Sequence, residues 1–364
     1  MPEFKISDKF DSIIESLDNL HNNEFGFFSD HNGDIKIDKS ELNPYTIKPM
    51  IGKSFTNPFG WNTKLGNNSY TPKSYKPNES TMGNFLDYMI QISNTNNNTN
   101  NDKNNLQSFK IFSQSSFFQY ISVKRDSEFY IIYHNKRFII MNAETRIGQN
   151  SLMSYTGIRF EDLLTHDINH KTVNNFSTFQ SVLEIKINGI KCLYNAEIDS
   201  INSKSGKYTE IKMILCKSNI PHAKTKDKLH ILSCIQNGNS YFDSFLFRLL
   251  IQCKFANISN VVIGIRDQSF TIRNITEFSV ENDLLPFFLK KCDDYYCNSY
   301  LQSTSMIKRV LDVIKLNVNE KSPIYKLKIV PDYVLKSIDE PSERKRIMDT
   351  VFTPEFKTLL ESFV

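Results

Sequence analysis

KCLYNAEIDSINSKSGKYTEIKMILC, residues 191–216, reads as two β-strands joined by the turn SKSG at 203–206. If Asn202 pairs with Lys207, then Asp199 lies opposite Glu210, Ile198 opposite Ile211 and Glu197 opposite Lys212. Strand side chains alternate, so the two isoleucines face a core while Glu197, Asp199, Glu210 and Lys212 gather on the other side. Three carboxylates this close repel one another unless a cation joins them. An all-oxygen donor set favours a hard divalent metal, Mg²⁺ or Mn²⁺. Lys212 adds positive charge where a phosphate or a developing oxyanion would sit. The plainer alternative is a solvated sheet face of alternating charge.

The surrounding sequence supplies the rest of an α/β framework. EFYIIYHNKRFIIMNAE (128–144) reads as two β-rich runs about a tight turn at His134–Lys136. SLMSYTGIRFEDLL (151–164) carries apolar residues at 152, 155, 158, 160 and 163, a helical face with Gly157 as its soft spot. YFDSFLFRLLIQCKFA (241–256) predicts a helix and NVVIGIRD (260–267) a strand. Strands and helices mix with no linker composition between them. The expectation is one domain over 1–364, α/β (α+β) in class. It has a mixed β-sheet core flanked by helices, with a carboxylate/lysine active site on an antiparallel hairpin plus one helix. NTNNNTNNDKNN (94–105) holds eight Asn in twelve positions and is expected to be a disordered loop, because it has too little apolar area to offset its ordering entropy.

Hydrophobic residues make up 40% of the 364, aromatics 12% and charged residues 23%, a composition of soluble globular proteins. The longest apolar runs, LLPFFL (284–289) and VVIGI (261–265), are too short to span a bilayer, and MPEFKISDKFD at the start lacks the apolar segment of a secretory signal. A net charge of +4 permits a nucleic-acid partner without arguing for one. The six cysteines sit mostly alone in apolar segments, and Cys292 and Cys297 miss the spacing of a zinc pair. A reducing intracellular compartment follows, the cytoplasm before the nucleus, because RKR at 344–346 is too short for a basic address.

The helix at 151–164 adds a further acid. Glu161 directly follows an apolar run, where a core-facing helix would prefer Leu, and an acid there is costly unless something pairs with it. Asp162 reads as an ordinary exposed helix acid. The order GIRFE (157–161), EID (197–199), EIK (210–212) and IQ (251–252) before VVIGIRD (261–267) resembles the DXO-type RNA decapping exonuclease family, with its G-x-x-x-E, E-x-D, E-x-K and helix-borne Gln. The likeness extends to EFGFFSDHNGDIKIDKSELNPY (24–45) and, beyond LPFFLKKC, to FTPEFKTLL, and so covers nearly the whole chain. One departure stands out. Members with the full set of motifs carry an Arg ahead of the first acidic motif, whereas FKIFSQSSFFQYIS (109–122) has none and Gln114 falls closest.

The resemblance implies that Glu161, Asp199, Glu210 and Glu197, with the main-chain carbonyl of Ile211, bind one or two divalent ions, Mg²⁺ or Mn²⁺. Lys212 and Gln252 would hold the scissile phosphate, with Glu197 also at the substrate. It further implies RNA decapping and 5′→3′ trimming, with capped or 5′-monophosphate RNA as partner. In lacking that Arg the chain resembles the fungal-type branch, which keeps decapping and trimming but is weak or inactive as a pyrophosphohydrolase. A monomer without a stable protein partner is expected. Competing readings are a DNA exonuclease of the wider carboxylate/lysine superfamily and a non-catalytic scaffold for another 5′–3′ exoribonuclease, although a scaffold would be expected to lose these acids. HDINH (166–170) lacks the third ligand of a zinc site and reads as a surface loop. No phosphate-cradling G-x-x-x-x-G-K-[ST], dinucleotide G-x-G-x-x-G or G-x-S-x-G elbow occurs.

Overall fold

The computed structural model describes residues 3–6, 17, 20–45, 62–64, 67, 70, 82–95, 106–143, 152–166, 173, 176–216, 227–237, 245–291 and 294–363. Among them, ten strands form one mixed sheet. In spatial order these are β1 (Glu3–Ile6), β14 (Tyr333–Ser337), β13 (Ile324–Lys328), β5 (Glu128–His134), β6 (Arg137–Asn142), β4 (Ile111–Gln114), β8 (Ile190–Ile198), β7 (Ser177–Ile187), β2 (Asn22–His31) and β3 (Asp34–Lys36). A second sheet runs β12 (Ile272–Ser279), β11 (Asn260–Arg266), β10 (Tyr208–Leu215), β9 (Ser200–Ile201). The helices are α1 (Gly83–Thr95), α2 (Ser115–Ser122), α3 (Leu152–Thr165), α4 (Lys228–Asn237), α5 (Phe245–Ala256), α6 (Leu285–Lys291), α7 (Asp294–Asn317), α8 (Pro341–Val351) and α9 (Pro354–Glu361). No helix among the described residues is long and apolar enough to cross a membrane.

The large sheet is apolar on both faces, because alternate residues of its central strands enter different cores. Ile131, Ile140 and Tyr194 join the cluster under α2, α5 and α7, whereas Ile132, Ile139 and Leu193 join the one under α1, α8 and α9. The expected tight turn after β5 forms from Asn135 and Lys136, both at positive φ. Cys192, Cys216 and Cys253 are buried as core residues. The expected loop at 94–105 lies outside the described residues from 96 onward, and its first two residues end α1.

The expected hairpin forms only at its tip. Ile201 pairs with Tyr208 and Ser200 with Thr209, and Asn202 N–H donates to Lys207 O at 2.9 Å, with Gly206 at φ 67°. Beyond that point the strands part, and the expected Asp199–Glu210, Ile198–Ile211 and Glu197–Lys212 pairs do not form. Both edges of β8 are already taken, by β4 in parallel and β7 antiparallel. β10 instead continues in parallel with β11. Ile198 and Ile211 therefore enter separate cores, and Asp199 sits at the junction of the two sheets.

Candidate active site

The parting of β8 from β10 opens a cleft of about 790 Å³ that Glu161, Glu197, Asp199, Glu210, Lys212 and Gln252 all line. Glu197 and Asp199 come from the end of β8 and its exit, Glu210 and Lys212 from one face of β10. Gln252 comes from α5, where the residues around it (Leu249, Leu250, Ile251, Cys253) are buried, and its amide is the polar group this helix turns to the cleft. Glu161 is set by its neighbour. Phe160 is fully buried against Gly264 of β11, and a Cβ on Gly264 would overlap the Phe160 ring. Gly264→Ala is therefore expected to lower stability by about 1–3 kcal/mol through overpacking and to shift Glu161, with hydrolysis falling alongside. Gly157→Ala, with nothing within 4 Å of the added carbon, is the control and is expected to leave stability equal or raised by up to about 1 kcal/mol. Urea denaturation of the pair checks this; equal midpoints would show that Phe160 does not hold α3.

The carboxylates and the lysine form one electrostatic unit. Lys212 Nζ lies 3.2 Å from Asp199 Oδ2 and is also ion-paired with Glu210 Oε1. Asp199 Oδ2 accepts the Ile211 N–H at 2.8 Å, and Gln252 Nε2 donates to Glu210 Oε1 at 2.5 Å. The other oxygen of Glu210, Oε2, is buried with no hydrogen-bond partner. Burial, then the Asp199 charge, pushes the Glu210 carboxyl up to about 7 against the opposing pull of Lys212. Glu161 is raised well above the carboxylate range by burial, then by Asp199, with Glu197 and Glu210 adding to it. Burial alone would push the Lys212 ammonium down, but Asp199, Glu210 and Glu161 outweigh it and hold its pKa well above the ordinary value.

Four carboxylates with a single ammonium leave the cluster short of positive charge, and the orphaned Glu210 Oε2 marks where it is missing. An all-oxygen set of this kind fits a divalent cation. Among the described residues no three acidic, His or Cys side chains already surround a common point; the Lys212 ammonium stands between Asp199 and Glu210.

Other expectations fare unevenly. Asp162, expected to be exposed, is buried, because Arg159 Nη1 one turn earlier pairs with it at 2.5 Å. His166 is exposed at the cleft, with Nδ1 3.4 Å from Asp162 Oδ1, and 167–170 lie outside the described residues. Gln114 ends β4, in register with Asn195, and also lines the cleft. Sequence reading missed Asn195 and Gln180, whose amides bond at 3.0 Å on the cleft wall. The signal was present, since Asn195, Glu197 and Asp199 share one period-two register. It also missed Arg125, three residues past the 109–122 stretch, which lines the same cleft.

A family model described as RAI1 like PD-(D/E)XK nuclease matches residues 22–353. Decapping nuclease RAI1 of Candida albicans is 23% identical over 245 residues, covering 59% of this chain and 58% of that protein. Decapping and exoribonuclease protein 1 of Kluyveromyces lactis is 28% identical over 177 residues, covering 48% and 36%. The chain thus spans less than two thirds of the length of these relatives. The crystal structure of Candida albicans Rai1 in complex with pU5-Mn²⁺ superposes with a TM-score of 0.71 at 16% identity, covering 99% of this chain and 98% of that one. K. lactis Dxo1 in complex with manganese gives 0.61, also at 16% identity, over 97% and 99%. The fold is shared.

Proposed function

This chain belongs to the RAI1-like PD-(D/E)XK nuclease family, and on that premise we propose that it is a metal-dependent RNA decapping nuclease. It hydrolyses the phosphodiester after the first nucleotide of capped RNA and trims 5′-monophosphate RNA in the 5′→3′ direction, acting as a single-domain monomer in the cytoplasm. The observation that carries this reading is the single cluster of Glu161, Asp199, Glu210, Lys212 and Gln252 in one cleft, with Glu210 Oε2 buried and unpartnered. The names of the sequence relatives supply the substrate class.

Glu161, Glu197, Asp199 and Glu210, with the Ile211 carbonyl, would hold one or two Mg²⁺ or Mn²⁺ ions, which when bound supply an acidified water and neutralise charge on the reacting phosphate. The chain's own groups do the positioning. Lys212, spent on Asp199 and Glu210 here, is placed to turn its ammonium to the scissile phosphate and offset the charge that grows there. Gln252 anchors Glu210 through one N–H and has a second to offer an oxygen of the substrate. Glu197 is the most exposed of the acids and would be the one to meet an incoming nucleotide.

The test is an assay of capped, 5′-monophosphate and DNA oligonucleotides with Mg²⁺ or Mn²⁺, with and without chelator. Cleavage of both RNAs, abolished by chelation, is expected. RNA left intact would sink the nuclease reading in favour of a scaffold, and equal cutting of DNA would point to a general exonuclease.

A further inference from the structure

Seven acidic side chains line the cleft, and of its described cations Lys212 is bound by two of them. A polyanion entering such a cleft needs another positive contact, and the fold provides one at the far end of α2. This helix is divided lengthwise. Phe117, Phe118 and Ile121 are buried, whereas Ser115, Ser116, Gln119 and Tyr120 line the cleft. The helix closes with a left-handed residue, Lys124 at φ 47°. Lys124 N–H donates to Ile121 O at 3.3 Å and Arg125 N–H to Tyr120 O at 3.0 Å, the paired bonds of a Schellman cap. That cap brings Arg125 back over Tyr120, where an apolar contact usually forms. Here it is a guanidinium lying 4.6 Å from the ring centroid. Tyr120 is in turn braced on buried Phe129.

Stacking on the ring face leaves the N–H fork of a guanidinium free in its own plane, the geometry that grips two phosphate oxygens. Among the described residues Arg125 has no carboxylate within ion-pair distance, although it lines a cleft crowded with them. We propose that Arg125 is a substrate-binding residue that grips a phosphate other than the scissile one, its guanidinium aimed by the α2 cap and Tyr120. This rests on the nuclease reading only for the identity of the substrate as RNA.

The experiment measures binding of a 3′-fluorescein oligouridylate bearing a 5′-phosphate, by anisotropy in Mg²⁺ across a KCl series, to Glu210→Gln protein. Arg125→Met keeps the stem that packs on Tyr120 and removes the charge. It is expected to weaken binding about tenfold at low salt. It should also reduce the slope of log affinity against log salt by about 0.7, the share of one phosphate on a single strand. Arg125→Lys should restore the slope and part of the affinity. The thermal midpoint should stay put, and Lys136→Ala, on the exposed turn after β5, should leave the slope alone. An unchanged slope in Arg125→Met, the same loss in Lys136→Ala, or no binding of the oligonucleotide by the parent would each overturn the proposal. Failure of the nuclease reading is seen separately, as RNA left uncut by the wild-type chain.

Discussion

Glu210→Gln is expected to cut RNA hydrolysis by at least about 10²-fold, 2.7 kcal/mol or more on the barrier, while leaving the fold as stable as before or more so. The two halves of this expectation come from the same atoms. Glu210 is fully buried, with Lys212 and Gln252 on Oε1 and nothing on Oε2. The amide keeps shape and an acceptor but removes the charge a cation would need. Its effect on stability is a matter of protons. Burial, then Asp199, pushes the Glu210 carboxyl up to about 7, so the folded chain binds a proton there that the unfolded chain has already lost. Between the ordinary carboxylate range and pH 7, rising pH therefore lowers stability, and above it the ionised group is a constant cost. In chelator, the variant should lose Glu210's share of that slope, with Glu161 keeping its own, and melt at or above the wild-type temperature at pH 8. Adding Mn²⁺ should raise the wild-type melting temperature. It should do so more strongly as pH climbs to about 7, because Glu210 must give up its proton to bind. The variant should lose most of that gain. Replacing Glu197 and Asp199 together by Gln and Asn should depress hydrolysis likewise. A Glu210→Gln protein that fails to fold, or one that turns over at full rate, would show that this acid serves structure alone.

What the sequence could and could not disclose follows from how local each determinant is. The turn at 203–206 and its first two pairs were legible, because Gly206 and the Asn202–Lys207 closure are settled within a few residues. The parting of the strands was not, since it depends on β4 and β7 occupying both edges of β8, and those strands lie far away in the chain. The acids still converge, because Asp199 leaves β8 at the junction and its carboxylate takes the Ile211 N–H in place of a strand partner. Glu161 was readable as a misplaced acid on an apolar face. What fixes it, the flat contact of Phe160 on Gly264, appeared only as a glycine in the run VVIGI. Asp162 misled because a lone helix acid looks exposed until its arginine one turn earlier is seen to fold over it. Arg125 carried no periodic signal, since a backbone reversal at Lys124 aims it.

Capped RNA is expected to be cut after its first nucleotide, releasing a cap-bearing dinucleotide, while 5′-triphosphate RNA should lose pyrophosphate slowly or not at all. Pyrophosphate release needs extra phosphates gripped close to the carboxylate cluster, and Gln114 stands closest to where the family resemblance would put an Arg. It lies at the end of β4, in register with Asn195, two residues before Glu197. A neutral amide offers two donors and no charge, and does not replace a bidentate guanidinium on a polyphosphate. Arg125 does not fill the gap. It follows the far end of α2, whose eight residues span about 12 Å, and its guanidinium is held over Tyr120 near that end, not beside Gln114. The groups proposed to address the internal phosphodiester, Lys212 and Gln252, are by contrast both in place beside Glu210. Mapping products of 5′-labelled triphosphate and capped RNAs side by side decides the matter. Rapid pyrophosphate release from the triphosphate would mean that Gln114, or a residue beside it, handles charge its amide does not carry, and the absence of an Arg at this position would no longer set which 5′ ends are cut.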